Sequence, residues 1–163
     1  MNTHFSDAQK KLARDLIEKY SKKYGASVNE MNAIAMMESS FRPSLGVHPD
    51  GLSFGLMGIT VPAQTEYNTR TGSFADRKQL NDNIAIACWY WGKRIPQMLK
   101  YFEKKNTLRN RTISYNAGIS YVVNQKEIPA RTLAYIQHME DSKKKISFPL
   151  MIMTLLFGWM LRK

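Results

Sequence analysis

Glu38 stands at the end of a helical stripe that begins with Met31, Ile34 and Ala35, in an i, i+3, i+4, i+7 series. A carboxyl group held against apolar walls loses the hydration of its charged form. Its pKa then rises, which suits a general acid working near neutral pH. The same spacing also fits a glutamate at a helix end that fans out into solvent, and periodicity alone does not choose between the two. Asp50, in His48-Pro49-Asp50-Gly51, has two readings as well. It reads first as a turn-forming Asp-Gly pair, and second as a carboxylate able to position water for hydrolysis. His4, His48 and His138 have neither the spacing nor the acidic company of a metal site, so no metal and no cofactor are expected. Cys88 is the lone cysteine, and its setting among Ile84, Trp91 and Ile95 predicts a buried, inert thiol.

The helix that presents Glu38 should start at Ser27, with Glu30 completing a capping box, and run to about Ser39 before Pro43 closes the stretch. Ahead of it, Ala8, Leu12, Leu16, Tyr20 and Tyr24 recur at intervals of four. They predict an amphipathic helix over Ser6–Tyr24, capped by Ser6 with Gln9 and ended by Gly25. Residues 44–53 are rich in Gly, Pro, Ser and Asp and read as an irregular loop or small hairpin. Thr60 with Pro62 starts a short helix through Tyr67. From about Asn81 a long face of Ile84, Cys88, Trp91, Ile95, Leu99 and Phe102 predicts a helix that Pro96 can kink. Helical pieces at Leu108–Tyr115 and Arg131–Lys143, with a turn at Asn116-Ala117-Gly118, complete a mainly α domain.

Four segments in this order carry a family resemblance. Glu38-Ser39-Ser40-Phe41-Arg42-Pro43 is similar to the E-S-x-F-x-P signature of the soluble lytic transglycosylases, whose fold is lysozyme-like. Gly55-Leu56-Met57-Gly58-Ile59-Thr60 resembles that family's G-L-M-Q-I-T element. Ser114-Tyr115-Asn116-Ala117-Gly118 resembles its A-Y-N-A-G turn, and Pro129-Ala130-Arg131-Thr132-Leu133-Ala134-Tyr135-Ile136 its P-x-E-T-x-x-Y-V helix. The resemblance implies that Glu38 protonates the glycosidic oxygen between N-acetylmuramic acid and N-acetylglucosamine. Glu38 then accepts the proton of the muramyl C6 hydroxyl as that oxygen attacks C1, giving a 1,6-anhydro product. The substrate supplies the nucleophile, so no second carboxylate is needed, unlike in ordinary paired-carboxylate glycosidases. By the same matching, Ser39 and Phe41 would support the helix end and Gly55 would bind or support the substrate, as would nearby Ser53. Met57 would lie under the sugar, Tyr115 would wall the cleft, Asn116 would fix the N-acetyl and backbone contacts, and Tyr135 would place its hydroxyl near Glu38. Core packing is the competing role for Met57, Tyr115 and Tyr135. Gly58 replaces the usual glutamine and Arg131 the usual glutamate, which implies altered binding with the chemistry kept.

The chain of 163 residues carries 24 basic and 13 acidic residues, a formal charge of +11, which favours an anionic partner. Nucleic acid is not expected, because no C2H2 spacing, RNP-like sequence or basic-region heptad accompanies the charge; peptidoglycan strands are. The first eleven residues lack the apolar core of a secretory signal. Residues 146–161 form sixteen positions without a charge, flanked by Lys143, Lys144, Lys145, Arg162 and Lys163. As a helix they would reach roughly 24 Å, against a hydrocarbon core of roughly 30 Å. The expected organisation is therefore a lysozyme-like domain over residues 1–142, then a basic hinge and a C-terminal hydrophobic, membrane-inserting helix over 143–163. Lipid contact through Ile146–Leu161 and delivery in a phage particle or a secretion machine, alongside its other proteins, follow as expectations. So do two alternatives: muramidase-type hydrolysis at the same site, or a non-catalytic wall-binding or virion structural protein.

Overall fold

A computed structural model of the chain describes residues 7–44 and 46–143. The hydrophobic segment Ile146–Leu161 and its hinge lie outside the described residues. Among the described residues no helix is long and apolar enough to cross a membrane.

The architecture is helical. It consists of α1 (Asp7–Tyr24), α2 (Val28–Ser39), α3 (Val61–Thr71), α4 (Leu80–Trp89), a π-helical turn (Tyr90–Arg94), α5 (Ile95–Tyr101), α6 (Leu108–Asn116), α7 (Ile119–Val123) and α8, residues 130–143. Three starts are fixed by hydroxyl caps. Ser27 accepts from the Glu30 amide at 3.4 Å, Thr60 from Ala63 at 3.4 Å and Thr107 from Asn110 at 3.1 Å. Helix α3 runs one turn beyond the expected Tyr67 and stops at Gly72, whose φ of 66° suits a C-cap. Between α2 and α3, of the loop or small hairpin expected over residues 44–53, the structure shows hairpin character that extends past residue 53, with two isolated antiparallel bridges, Val47 with Phe54 and Phe54 with Ile59.

Helix α4 is the centre of the core. Every residue from Asn83 to Trp89 is buried, so the helix has no wet face, and the others wrap it. Ile17 and Tyr20 of α1, Met31 and Ile34 of α2, and Tyr135 and Met139 of α8 join it in one apolar cluster. Cys88 belongs to this cluster; burial pushes its thiol up to about 12, the behaviour of an inert side chain.

The long helix expected from Asn81 to Phe102 is divided in two by the π turn, which ends just before Pro96. Proline lacks the amide that would close the preceding turn, so a wider turn there costs less. Gly92 lies within that turn, where any β-carbon would overlap the Tyr24 carbonyl oxygen. The close crossing of α1 therefore requires glycine. A short helix, α7, follows the expected turn at residues 116–118 and was not anticipated.

Candidate active site

The last turn of α2 ends abruptly. Ser40 caps it in the left-handed conformation (φ 52°), and Phe41 follows at φ 54°, so two consecutive residues with side chains occupy a costly region. Local bonds support this turn. The Ser39 hydroxyl donates to the Ala35 carbonyl at 2.9 Å and accepts from the Arg42 amide at 3.2 Å. Phe41 is buried, with the Arg14 guanidinium 5.2 Å above its ring. Ser39 and Phe41 thus hold the helix end that carries Glu38.

Glu38 is half-buried, not fanned into solvent. Burial pushes its pKa up to about 7; Tyr135 and then Arg131 draw it down, and the charge of Asp50 raises it further. Tyr135 is almost wholly buried on α8. Its hydroxyl steadies the Glu38 carboxylate without closing a hydrogen bond of full geometry, and it has no other partner among the described residues. Such contacts often tighten only when substrate is bound.

The loop facing Glu38 is held from behind. The Asn83 carboxamide of α4 accepts from the Met57 amide at 2.9 Å and donates to the Phe54 and Arg77 carbonyls at 2.8 and 3.0 Å. Arg77 reaches back to the Leu52 and Ile59 carbonyls at 2.7 and 2.8 Å. Gly55 packs directly on Asn83 at φ 78°, and its carbonyl accepts from His48 Nε2 at 2.7 Å. Ser53 closes the hairpin tip around Asp50, donating its hydroxyl to Oδ2 at 2.7 Å and its amide to Oδ1 at 2.9 Å. Those bonds, with the Leu52 amide, hold the Asp50 carboxyl down at about 2. Asp50 is therefore the turn residue its Asp-Gly pair suggested, and it also lines the Glu38 cleft. That cleft, of about 250 Å³, is walled by Glu38, Arg42, His48, Pro49, Asp50 and Arg131.

The remaining expected residues fall in different places. Met57 is wholly buried and packs in the core, so it offers no surface to a sugar. Tyr115 is half-buried and donates to the Met57 carbonyl at 2.8 Å, tying α6 to the loop. Asn116 accepts from Thr132 of α8 at 2.7 Å and so joins the turn to the helix of Tyr135. Gly58 (φ 63°) lies against Glu38 itself.

Sequence reading missed the supports. Glu30 caps with its amide, but its carboxylate does not complete a capping box. It accepts from Trp91 Nε1 at 2.8 Å and from both terminal nitrogens of Arg111 at 3.1 Å. Arg111 also covers the Trp91 ring at 5.0 Å, and Trp91 meets Tyr115 edge-on. The two Glu30 contacts span 61 and 81 residues, and no local pattern announces them.

Comparison with known proteins matches a range that contains this site. The family model described as the Transglycosylase SLT domain matches residues 15–137. Among solved structures, an inactive mutant of lytic transglycosylase Slt from Pseudomonas aeruginosa matches with a TM-score of 0.63 at 20% identity. The match covers 82% of this chain and 24% of that one, so the chain spans about a quarter of that protein's length. No curated protein sequence matches.

Proposed function

Since the chain belongs to the transglycosylase SLT family, we propose that it cleaves the MurNAc-GlcNAc linkage of peptidoglycan with Glu38 as acid and then base. The observation that carries this reading is a half-buried carboxyl group, held near pH 7 by burial, at the head of an open cleft. Protonated, Glu38 donates to the glycosidic oxygen as the C1–O bond breaks. As a carboxylate it takes the proton of the C6 hydroxyl while O6 bonds to C1. Digestion of purified peptidoglycan followed by mass analysis tests this. The expected product is a 1,6-anhydro sugar, lighter by one water than the hydrolytic product, and Glu38→Gln should yield none.

Asp50 supports a second reading, hydrolysis. It is ionised, lines the same cleft and is felt by Glu38. A reducing-end muramic acid product would establish it. If wild type and Glu38→Gln clear wall equally, Glu38 is not the acid; if both bind wall and neither cuts it, the non-catalytic wall-binding alternative stands. Tethering through Ile146–Leu161, and delivery in a phage particle or secretion machine, belong to the same proposal. Flotation of the full chain with anionic vesicles tests the first, and detection in purified particles the second.

A further inference from the structure

From the same cleft we infer a specificity device that rests on the glycan-cleaving reading: Arg131 and Arg42 form a rim that binds a carboxylate carried by the muramyl residue. The group is the lactyl carboxylate of a peptide-free strand or a carboxylate of a stem peptide. Arg131 stands on α8 at the cleft wall, exposed. Apart from its attraction for Glu38, its guanidinium has no hydrogen-bond or ion-pair partner among the described residues. Arg42 is fixed through Nε, which donates to the Ser39 carbonyl at 2.8 Å, and its two terminal nitrogens make no bond to a described residue. The one other acidic group of the wall, Asp50, has both oxygens engaged by Leu52 and Ser53 and pairs with neither arginine. Two guanidiniums, neither closed into an ion pair with Asp50 or Glu38, thus line the cleft that holds the acid. A guanidinium fork matches a carboxylate in two parallel hydrogen bonds, a fit an ammonium lacks. Arginine in place of the glutamate usual at position 131 of the resembled motif inverts the charge of this wall, so the selectivity would be this chain's own.

The test uses the full chain carrying Glu38→Gln, so that binding is read without turnover, with and without Arg131→Gln. The probes are glycan strands bearing stem peptides and strands stripped of them by an amidase, each with carboxyls free or amidated by carbodiimide. Amidation should weaken binding of the Arg131 protein by about tenfold, the loss of one charge-assisted contact. Arg131→Gln should weaken binding of free-carboxyl strands equally and leave amidated strands unaffected. Arg131→Lys should restore only part. The strand type that shows the loss identifies the source of the carboxylate. Equal binding of free and amidated strands overturns the inference, as does an Arg131→Gln deficit that persists on amidated strands, or no binding to any strand. Failure of the cleavage reading is seen separately, as wild-type protein that leaves every strand uncut.

Discussion

Oε2 of Glu38 lies 2.5 Å from the point where a β-carbon on Gly58 would stand. The loop and the acid are therefore packed so closely that position 58 has no room for any side chain while Glu38 keeps its place. Its φ of 63° independently favours glycine. The glutamine usual at this position of the resembled motif could enter only by moving the carboxylate.

Gly58→Ala should for this reason damage catalysis more than stability. The atoms that collide are the far end of a flexible side chain, so Glu38 can swing aside, and the left-handed backbone adds only about 1 kcal/mol. Displacing the acid should cost about 10²-fold in kcat. Turnover of peptidoglycan and thermal melting, measured on the same preparation, check this; a variant that melts early but cuts at the wild-type rate would contradict it.

The activity should depend on protonated Glu38 in the free enzyme. With its pKa raised to about 7, chiefly by burial, kcat/KM should fall as pH climbs through that value. Arg131 favours the charged form, so Arg131→Gln should move this limb to higher pH. A profile that stays level well beyond neutrality, or a limb that moves down in the variant, would remove Glu38 from the acid role.

The same shift makes Glu38 a burden on the fold. Its folded pKa lies above its unfolded value, so the native state binds the proton more tightly. Stability falls as pH rises from about 4.5 to about 7, and the whole cost is present above that. Glu38→Gln should then be more stable than wild type at alkaline pH by about 3 kcal/mol, a margin that closes on acidification. Paired denaturant melts across this range would show it.

Much of this site was legible because its determinants are local. The 3.6-residue stripe of Met31, Ile34, Ala35 and Glu38 puts the carboxyl in line with the core and leaves open whether it turns to solvent; in the structure it is half-buried. Ser27 and Thr60 announce their helix starts in the same way. What was illegible depends on distant partners. Glu30 has the spacing of a capping box, yet its carboxylate serves Trp91 and Arg111, 61 and 81 residues away. Asn83 looks like one polar residue in the first turn of an apolar helix. The close crossing of α1 at Gly92, too, is not encoded by periodicity, and Met57 gave no sign of whether it faces sugar or core.

The Glu30 pair should matter to α2 as a whole. Its two side chains keep only 14% and 19% of their exposure, Glu30 the lower, so breaking the pair leaves a poorly hydrated charge. Arg111→Leu should cost about 2–3 kcal/mol, short of the range for fully buried pairs. Adding Glu30→Gln should recover part of it, and a double-mutant cycle measures the coupling; additive losses would show that the two charges act independently.

Asn83 is the clearest case of a residue that would affect catalysis without touching substrate. Its single carboxamide satisfies the Met57 amide and the Phe54 and Arg77 carbonyls, and Gly55 rests against it. Alanine would strand three backbone groups, each costing about 1 kcal/mol or more when buried, for a loss of about 2–4 kcal/mol. Aspartate keeps the shape but turns two donor contacts into repulsions with carbonyl oxygens, so it should be no better than alanine. Because Gly58 is one residue beyond Met57, a loosened loop also frees the surface that confines Glu38. Asn83→Ala should therefore lower kcat while the alkaline limb moves toward the ordinary carboxylate range, as water reaches Glu38. Loss of stability with an unmoved pH profile would make Asn83 a core residue only; a moved profile makes the loop part of what holds the acid protonated.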